Sequence, residues 1–464
     1  MIEFTELQGP HSGENLAAAV EACLLELDLV PKLLSITGDN AGNNETMVFD
    51  LHRRLLARIE LQGKRETELH FQGLDSYIRC LGHILNLIVK DILRSLGSGS
   101  RAEADQACDS LGNGGSFATE SALGKLRILA LWVQRSPQRR QRWKEVCRIN
   151  NMHDKYIQYD VDTRWNSTYR MIQDGLNAEK QISKFLQLQT EFPAFTTADW
   201  SRLKQLKMVL SKFDEFTSEI SKNAPQISMA LPIYYDLHEL LHDASDRCGP
   251  FSELDLDLVA AVKQGLKKYQ KYYTFMDESD IYYTTTILDP RIKGDLILKE
   301  LSDGDAGKDI VGTIRLLLHE KYHPMPTLSA STAPQESPAP TGRSTIGSRL
   351  FQRLHSQGQS QVSDIDKYLD SPLEYTSIAD NNDPMWLCKW WNRHRYDYPQ
   401  MAAAARDYLA IPASEVAVER LFNRGRDVLG IRRQSMNSDS LRMLMLLDDN
   451  YRNGVIEQIV STET

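Results

Sequence analysis

An acidic residue follows directly on a predicted buried strand near the start of the chain. In the stretch LLSITGDNAGNN, apolar and small residues lead to Asp39, and Asn40 and a loop of Gly and Asn come next. A carboxylate in this position is well placed to hold a charged group, because ligands of parallel α/β sheets bind beyond the carboxyl ends of strands. Asp and Asn are also favoured in turns for purely local reasons. Spacing alone leaves both interpretations open and slightly favours the turn.

A second pair of chemically capable side chains is Cys80 and His83. They are three residues apart on a predicted helix and therefore share one face, an arrangement that could supply half of a zinc site. No second Cys/His pair lies at a familiar spacing. We therefore favour packing and hydrogen bonding over a metal for this pair, and predict no structural zinc.

A third pair, Glu415 and Glu419, lies in the stretch PASEVAVERLFN. With Ser414 as N-cap, this stretch predicts a short helix that ends at Gly425 and carries both glutamates on one face. Taken alone, the pair is most simply two exposed helix glutamates.

The elements predicted to position Asp39 are a strand, a helix and a second strand. Ile2–Gly9 has the composition of a strand, Ser12 is a plausible N-cap for the helix that follows, and KLLSITG predicts the second strand. This order predicts a βαβ unit with parallel strands. Alternation around Tyr159 and Val161 predicts another short strand.

The rest of the chain is predicted to be largely helical. An apolar stripe with helical spacing runs through the stretch RCLGHILNLIVKDIL, and residues 178–321 are almost entirely helical in pattern. Residues 323–344 are rich in Pro, Ser and Thr, which is typical of a linker. Trp386, Trp390 and Trp391 make the C-terminal block aromatic, which indicates core or interface.

Composition narrows the function classes. The net charge of −9 argues against a protein that coats nucleic acid indiscriminately, but charge can be segregated, and residues 134–144 and 424–433 are locally basic. The first basic stretch could be an import signal, a phosphate contact or simply a solvated face. Six scattered cysteines favour free thiols in a reducing compartment. No apolar run is long enough for a membrane span, and the N-terminus does not resemble a signal peptide.

Five blocks in order carry a family resemblance: HSGENLA, ITGDNAGNN, RCLGHILNLIV, DTRWNSTY and DYLAIPASEVAVERLFNRGRDVLGIRR. Together they resemble the hAT (hobo/Activator) superfamily of DNA transposases, in particular its fungal members, over nearly the whole chain. The resemblance implies an α/β RNase H-like fold interrupted by a large helical insertion. It also implies cut-and-paste DNA transposition by two-metal phosphoryl transfer, in which two Asp and one Glu hold Mg²⁺ or Mn²⁺.

Carried over residue by residue, the resemblance matches Asp39 to the second Asp and Glu419 to the Glu, both as metal ligands. Glu415 departs from the pattern, since the family more often has a small residue there. Trp165 matches a tryptophan near the DNA hairpin site, with a buried structural role weighed about equally. Its neighbour Arg164 is a candidate phosphate contact. Cys80 and His83 match the family's C-x-x-H, for which active-site support is favoured over zinc.

The resemblance also predicts the organisation of the chain. Residues 1–177 are expected to form the first part of the RNase H-like core, without its first two strands and first Asp; 178–322 a helical insertion; 323–363 a disordered linker; and 364–464 the dimerisation region that completes the core. We expect a nuclear protein that binds DNA, forms a homodimer or higher homo-oligomer through the C-terminal region, and is catalytically incompetent alone. A non-catalytic, domesticated dimerisation or DNA-binding module is the alternative.

Overall fold

A computed structural model describes residues 3–4, 6–112, 121–160, 165–189, 191–222, 227–302, 305–323, 363–377, 380, 383–430 and 436–452. Short 3₁₀ turns aside, the strands are β1 (Ile36–Gly38) and β2 (Tyr77–Arg79). The helices are α1 (Gly13–Glu26), α2 (Gly42–Leu61), α3 (Leu81–Ser95), α4 (Arg101–Gly112), α5 (Ala122–Gln134), α6 (Pro137–Ile149), α7 (Trp165–Asn177), α8 (Glu179–Leu186), α9 (Thr197–Ile220), α10 (Ala230–Asp246), α11 (Leu256–Asp277), α12 (Asp280–Ile287), α13 (Asp295–Glu300), α14 (Ala306–Lys321), α15 (Asp364–Leu369), α16 (Trp386–His394), α17 (Pro399–Tyr408), α18 (Val416–Leu429) and α19 (Ser438–Arg452).

The described residues form two compact units. The first comprises residues 1–226, 232–279 and 412–464, and the second comprises 227–231 and 280–411. The domain boundaries predicted from sequence stay a prediction, and most of the predicted linker, residues 324–362, lies outside the described residues. No helix among the described residues is long and apolar enough to cross a membrane.

The first unit contains a parallel pair of strands. β1 and β2 pair with Ile36 opposite Tyr77 and Gly38 opposite Arg79, and α2 lies in the connection between them. A βαβ unit is therefore present, but its members differ from the predicted ones. The described residues of the predicted first strand, 3–4 and 6–9, are not in a strand.

The N-terminal segment is held by side chains instead of by a sheet. The carboxylate of Glu3 accepts a hydrogen bond from Nε of Arg442 at 2.6 Å, and the ring of Phe4 lies 6.0 Å from that of Phe422. These contacts fix the segment against α18 and α19 without backbone pairing. The strand predicted around Tyr159 is also wrong for its described residues, because 158–160 have no strand conformation, and Val161 lies outside the described residues.

Helices α1 and α2 cover the parallel pair with an apolar core. Ser12 caps α1 as predicted, since its Oγ accepts the N–H of Asn15 at 3.3 Å. The two helices approach closely at Gly13, where a Cβ atom would lie 2.5 Å from Cβ of Thr46. The buried side chains of this core are Ala17, Leu24, Met47, Val48, Leu51, Leu55, Ile59, Leu69, Phe71 and Tyr77.

The apolar stripe of α3 faces α11. Leu81, Ile84, Leu85, Ile88 and Ile92 are buried, which confirms the prediction from helical spacing. Gly265 of α11 lets the helices come together, because a Cβ atom there would lie 2.7 Å from Ile92. Close packing of this kind gives the helical layer a defined register.

The second unit has an aromatic core. Tyr368, Trp390 and Trp391 are buried with ring centroids 4.9 to 6.1 Å apart, which confirms a core role for Trp390 and Trp391, whereas Trp386 is only partly buried. The buried ammonium of Lys293 donates to the carbonyls of Tyr368 and Ser371 at 2.8 and 2.7 Å. Burial lowers the pKa of Lys293, and the carbonyl oxygens satisfy its donors.

Candidate functional site

Asp39 lies immediately beyond β1 and shapes the turn into α2. Its Oδ1 accepts the N–H of Ala41 at 3.0 Å and the side-chain amide of Asn44 at 2.7 Å. The hydroxyl of Tyr77, from β2, donates to the Asp39 carbonyl at 2.5 Å. Asp39 therefore has the local, turn-forming role that the sequence allowed. The same bonds hold the carboxylate at the carboxyl end of the sheet, where a ligand would be expected.

Arg79 ends the neighbouring strand at this same edge, and sequence reasoning missed it. Its guanidinium lies 3.9 Å from the ring centroid of Phe275 and donates to the carboxylate of Glu45 at 2.8 Å. A second nitrogen approaches Oδ1 of Asn40 at 3.5 Å. Its position at the end of a three-residue strand was not recognisable, because Arg79 was grouped with the following helix and Tyr77 and Ile78 carried no strand prediction.

The segment before α18 is tied to the ends of β1, α3 and α9. Oγ1 of Thr37 donates to the carbonyl of Pro412 at 2.8 Å, and the N–H of Leu81 donates to the carbonyl of Ala413 at 3.0 Å. The buried hydroxyl of Ser414 donates to the carbonyl of Ile220 at 3.0 Å. These bonds bring a part of the chain that is distant in sequence to the edge where Asp39 lies.

Two predictions for α18 are wrong. Ser414 does not cap the helix, because its hydroxyl is bonded to Ile220, and Glu415 occupies the N-cap position. The helix continues past Gly425, which lies next to the side chain of Met445. It ends one turn later at Gly430, where φ is +38°.

Glu415 is the carboxylate most affected by this environment. Burial first, and then the charges of Asp39 and Glu419, raise the pKa of the Glu415 carboxyl to about 7 from its ordinary 4.5. Asp39 and Glu419 therefore lie near enough for their charges to act on the Glu415 carboxyl. From sequence, Glu415 was paired with Glu419 on one helix face and was a departure from the family pattern, but its burial beside Asp39 was not foreseen.

Glu419 lies one turn further along α18 and is exposed. Its N–H donates to the carbonyl of Glu415 at 2.9 Å, as expected within a helix. The structure thus places Asp39 and Glu419 at the same side of the first unit, with Glu415 electrostatically coupled to both. The catalytic and metal-binding roles of Asp39 and Glu419 stay predictions.

Cys80 supports the sheet edge at Asp39 through two hydrogen bonds. Its backbone N–H donates to the carbonyl of Gly38 at 2.8 Å, and its buried Sγ accepts the N–H of Glu415 at 3.3 Å. Burial raises the pKa of the Cys80 thiol, so the sulfur stays protonated near neutral pH. His83 follows in the first turn of α3 and is partly exposed. The contact from Cys80 to Glu415 is compatible with the supporting role predicted for the C-x-x-H pair.

Trp165 opens α7 and lies inside the helical layer. Its side chain is 3% exposed, and its ring lies 6.1 Å from that of Phe213 and 6.3 Å from that of Tyr169. Of the two roles weighed from sequence, the buried packing role is the one observed in this arrangement. The DNA-contact role stays a prediction, and Arg164 lies outside the described residues.

A buried ion pair next to α7 was missed entirely. Nε of Arg127 donates to both carboxylate oxygens of Asp160 at 3.1 and 3.0 Å, and Nη1 donates to the carbonyls of Ser98 and Gly99 at 2.8 and 2.7 Å. The hydroxyl of Thr168 in α7 donates to Asp160 at 2.5 Å. The partners are 33 residues apart in sequence, so no local spacing could have identified them.

The donors at this site have the right chemistry for Mg²⁺ or Mn²⁺, because both ions prefer carboxylate oxygens. Among the residues that the structure describes, however, no group of three or more His, Cys, Asp and Glu side chains is placed to hold an ion. One oxygen of Asp39 already accepts two hydrogen bonds. The described residues therefore do not form a complete two-metal centre.

A metalloprotease-like pattern in α10 also fails as a metal centre. His238, Glu239 and His242 have the spacing H-E-x-x-H, in which two histidines one turn apart bind zinc. The two imidazole rings do lie close, with centroids 4.3 Å apart. In the described part of the chain no third ligand completes a group, so the pattern does not make a zinc protease site.

Three family models match the chain, in sequence order. A ZBED1 RNase-like domain model matches residues 1–66, and a ZBED1 RNase-like helical domain model matches residues 78–209. A model of the hAT family C-terminal dimerisation region matches residues 364–451. The first match contains Asp39, the second contains Cys80, and the third contains Glu415 and Glu419.

Full-length relatives show the same similarity. The chain is 26% identical to a putative AC transposase of Zea mays over 97% of this chain and 52% of that protein. It is 26% identical to the putative transcriptional regulator tpeD of Talaromyces stipitatus over 96% of this chain and 49% of that protein. The zinc finger BED domain-containing protein RICESLEEPER 1 of Oryza sativa subsp. japonica is 22% identical over 90% of this chain and 55% of its own length. The chain thus spans about half the length of the curated relatives it matches.

Proposed function

We propose that this transposase-derived protein of the hAT superfamily binds DNA and self-associates through its C-terminal region. The observation that carries the proposal is the match of residues 364–451 to the hAT dimerisation region, together with relatives that align over nearly the whole chain. Because those relatives are about twice as long, their activities and partners enter here only as proposals. A nuclear location follows from DNA as the partner.

DNA binding is supported by the names of the relatives and by local charge. A transposase and a BED zinc finger protein are among the similar proteins. The chain carries a net charge of −9, yet α6 contains five Arg and Lys residues against one Glu. Segregation of this kind allows an acidic protein to present a basic surface to phosphates.

Self-association is supported by apolar side chains left exposed on α18 and α19. Val418 and Phe422 are four residues apart on α18, Met443 and Leu447 are four residues apart on α19, and all four are exposed. Exposed apolar side chains that recur at helical spacing within a matched dimerisation region are typical of an interface between copies.

The mass of the full chain in solution tests this proposal. We expect a dimer or larger assembly, and we expect Met443→Glu with Leu447→Glu to shift it toward the monomer, because buried charge in an apolar interface is costly. Leu316→Glu is the control, since Leu316 is 71% exposed on α14, outside the matched region. A parent chain that sediments as a monomer would contradict the self-association proposal.

For the fold, we propose an RNase H-like core interrupted by a helical region. The parallel βαβ unit with Asp39 at its edge supports this, as do the RNase-like match over residues 1–66 and the RNase-like helical match that begins at residue 78, within β2. Within it, we propose Asp39 and Glu419 as the counterparts of the family's second Asp and its Glu. Cys80 would support them through its bond to Glu415.

We propose that the chain by itself does not cleave DNA. The support is the incomplete donor set at the sheet edge, in which the described residues provide no group able to hold an ion. A strand-transfer assay with Mg²⁺ or Mn²⁺ on hairpin and terminal-repeat substrates tests this proposal directly. Metal-dependent cleavage by the chain, lost in both Asp39→Ala and Glu419→Ala, would overturn it.

A second candidate function is regulation by a non-catalytic, domesticated module. It is favoured by the relative from Talaromyces stipitatus, whose name is that of a putative transcriptional regulator. DNA binding and self-association without strand transfer is the outcome that this function predicts.

A further inference from the structure

Helix α6 combines an unusually basic sequence with a firmly packed inner face. Its sequence PQRRQRWKEVCRI contains five Arg and Lys residues and one Glu. Trp143, Val146 and Cys147 are buried, with the Trp143 ring 5.4 Å from that of Phe185 in α8. The helix is thus an integral part of the first unit, and its basic side chains are held on a fixed scaffold.

Three of these cations form a row along one side of the helix. Arg140, Lys144 and Arg148 recur every four residues, and all three are exposed. Residues at this spacing lie above one another on a helix, so the stripe extends for about 12 Å along the axis. We call these three residues the α6 stripe.

The cations of the α6 stripe have no carboxylate partner in the part of the chain that the structure describes. Arg139 and Arg142 of the same helix are engaged, the first over the Trp132 ring at 4.0 Å and the second with Gln189 at 3.2 Å. Among the described residues, no carboxylate forms an ion pair with a member of the stripe, although Arg135 and Lys155 nearby both have acidic partners. The acids closest in sequence are Glu145 and Asp154, both exposed.

An aromatic side chain adjoins the α6 stripe. The hydroxyl of Tyr156 donates to the carbonyl of Arg140 at 3.1 Å, and the ammonium of Lys144 lies 5.9 Å from the Tyr156 ring centroid. The hydrogen bond fixes the phenol against the middle of the stripe. His153 and Lys155, also exposed, extend the polar surface on that side.

We infer that the α6 stripe binds the phosphate backbone of duplex DNA, independently of base sequence. Two arginines and a lysine in a row match the regular negative charge of a strand, and Arg binds phosphate oxygens through two parallel N–H groups. The inference rests on the proposed DNA binding and names the surface that provides it.

The structure favours this occupant over an import receptor for the same basic residues. A short basic signal must be read as an accessible segment, but these residues are wound into a helix whose Trp143 and Cys147 are buried. A row of cations projecting from a stable helix suits a rigid polyanion instead. The experiment must therefore distinguish DNA binding by this stretch from nuclear import through it.

The test measures affinity of the full chain for a labelled duplex of arbitrary sequence as a function of salt. The stripe variant carries Arg140→Gln, Lys144→Gln and Arg148→Gln. The control variant carries Lys263→Gln, Lys267→Gln and Lys271→Gln, three exposed lysines with the same spacing on α11. Both variants lose three positive charges, so the net charge changes equally.

We expect the stripe variant to bind more weakly and to lower the magnitude of the slope of log K against log salt by about 2.7, since each lost phosphate contact removes about 0.9. A second duplex of unrelated sequence should give the same loss, because phosphate contacts carry no base information. The control variant should keep the parent slope. Far-UV circular dichroism of both variants verifies that the helices are retained.

Several results would overturn the inference. A stripe variant with the parent slope and affinity would show that DNA binds elsewhere, with the proposed function intact. Equal losses in both variants would assign the effect to net charge. Unchanged DNA affinity with loss of nuclear accumulation in cells would identify an import signal. A parent chain without any DNA affinity would instead refute the proposed function itself.

Discussion

Replacing Glu415 by Gln is expected to stabilise the protein above neutral pH and to change little in acid. In the folded chain the Glu415 carboxyl has a pKa of about 7, whereas its ordinary value is 4.5. The folded state therefore keeps the proton over a range of pH in which the unfolded chain has already lost it. As pH rises from about 4.5 to 7, the parent loses stability, and above pH 7 the loss is complete.

The magnitude follows from the size of the shift. At 1.36 kcal/mol per pKa unit, a rise from 4.5 to about 7 corresponds to about 3 kcal/mol. Glu415 is only partly buried, and solvent screens its repulsion from Asp39 and Glu419, so we expect about 1–2 kcal/mol. Gln keeps the shape of the side chain and removes the charge, so the variant should gain this amount at about pH 8.

Urea unfolding of parent and variant, followed by circular dichroism in EDTA at about pH 8 and about pH 4, measures the difference. Glu60→Gln is a matched control, because Glu60 is an exposed helix glutamate of the same unit. We expect the control to show no gain at either pH. A Glu415→Gln variant that is less stable than the parent at pH 8, or whose difference from the parent is independent of pH, would refute the reasoning.

Two further substitutions test how the sheet edge and α7 are held. Gly38→Ala should destabilise the protein by about 1–3 kcal/mol, because its Cβ would lie 2.5 Å from the hydroxyl oxygen of Tyr77 and displace it, whereas Gly42→Ala has no atom within 4 Å and should be neutral or stabilising. Equal effects of the two glycine substitutions in urea titrations would contradict the assigned contact. Asp160→Asn should cost about 3–5 kcal/mol and lower the thermal midpoint, since it leaves the buried guanidinium of Arg127 without its counter-charge. A midpoint within error of the parent would show that this pair is not buried as described.

The helices could largely be predicted from sequence because their signals are local. The stripe of α3 and the Ser12 cap of α1 depend on residues within about three turns of each other, and the structure confirms both. The aromatic core around Trp390 and Trp391 was likewise evident from composition.

The strands were predicted less well, because each has only three residues. β2 is too short to display alternation, and of its residues only Arg79 was assigned to an element, the following helix. Ile2–Gly9 has a strand-like composition, but its described residues are held by Arg442 and Phe422 from the other end of the chain. Tertiary contacts of this kind override local preference.

The candidate site was predicted in part. Asp39 could be placed at a strand end from spacing alone, whereas the importance of Glu415 depends on segment 412–415 crossing to β1 and α3. Arg127 and Asp160 meet only through the packing of α5 and α7. Contacts between residues this far apart in sequence produce no periodic pattern that could predict them.

The affinity of the full chain for duplex DNA across a range of salt concentrations tests the central claim most directly. The proposed function predicts measurable binding, with a logarithm of the affinity that falls linearly as the logarithm of the salt concentration rises, despite the net charge of −9. No detectable binding at about 50 mM salt, where phosphate contacts are strong, would contradict the account.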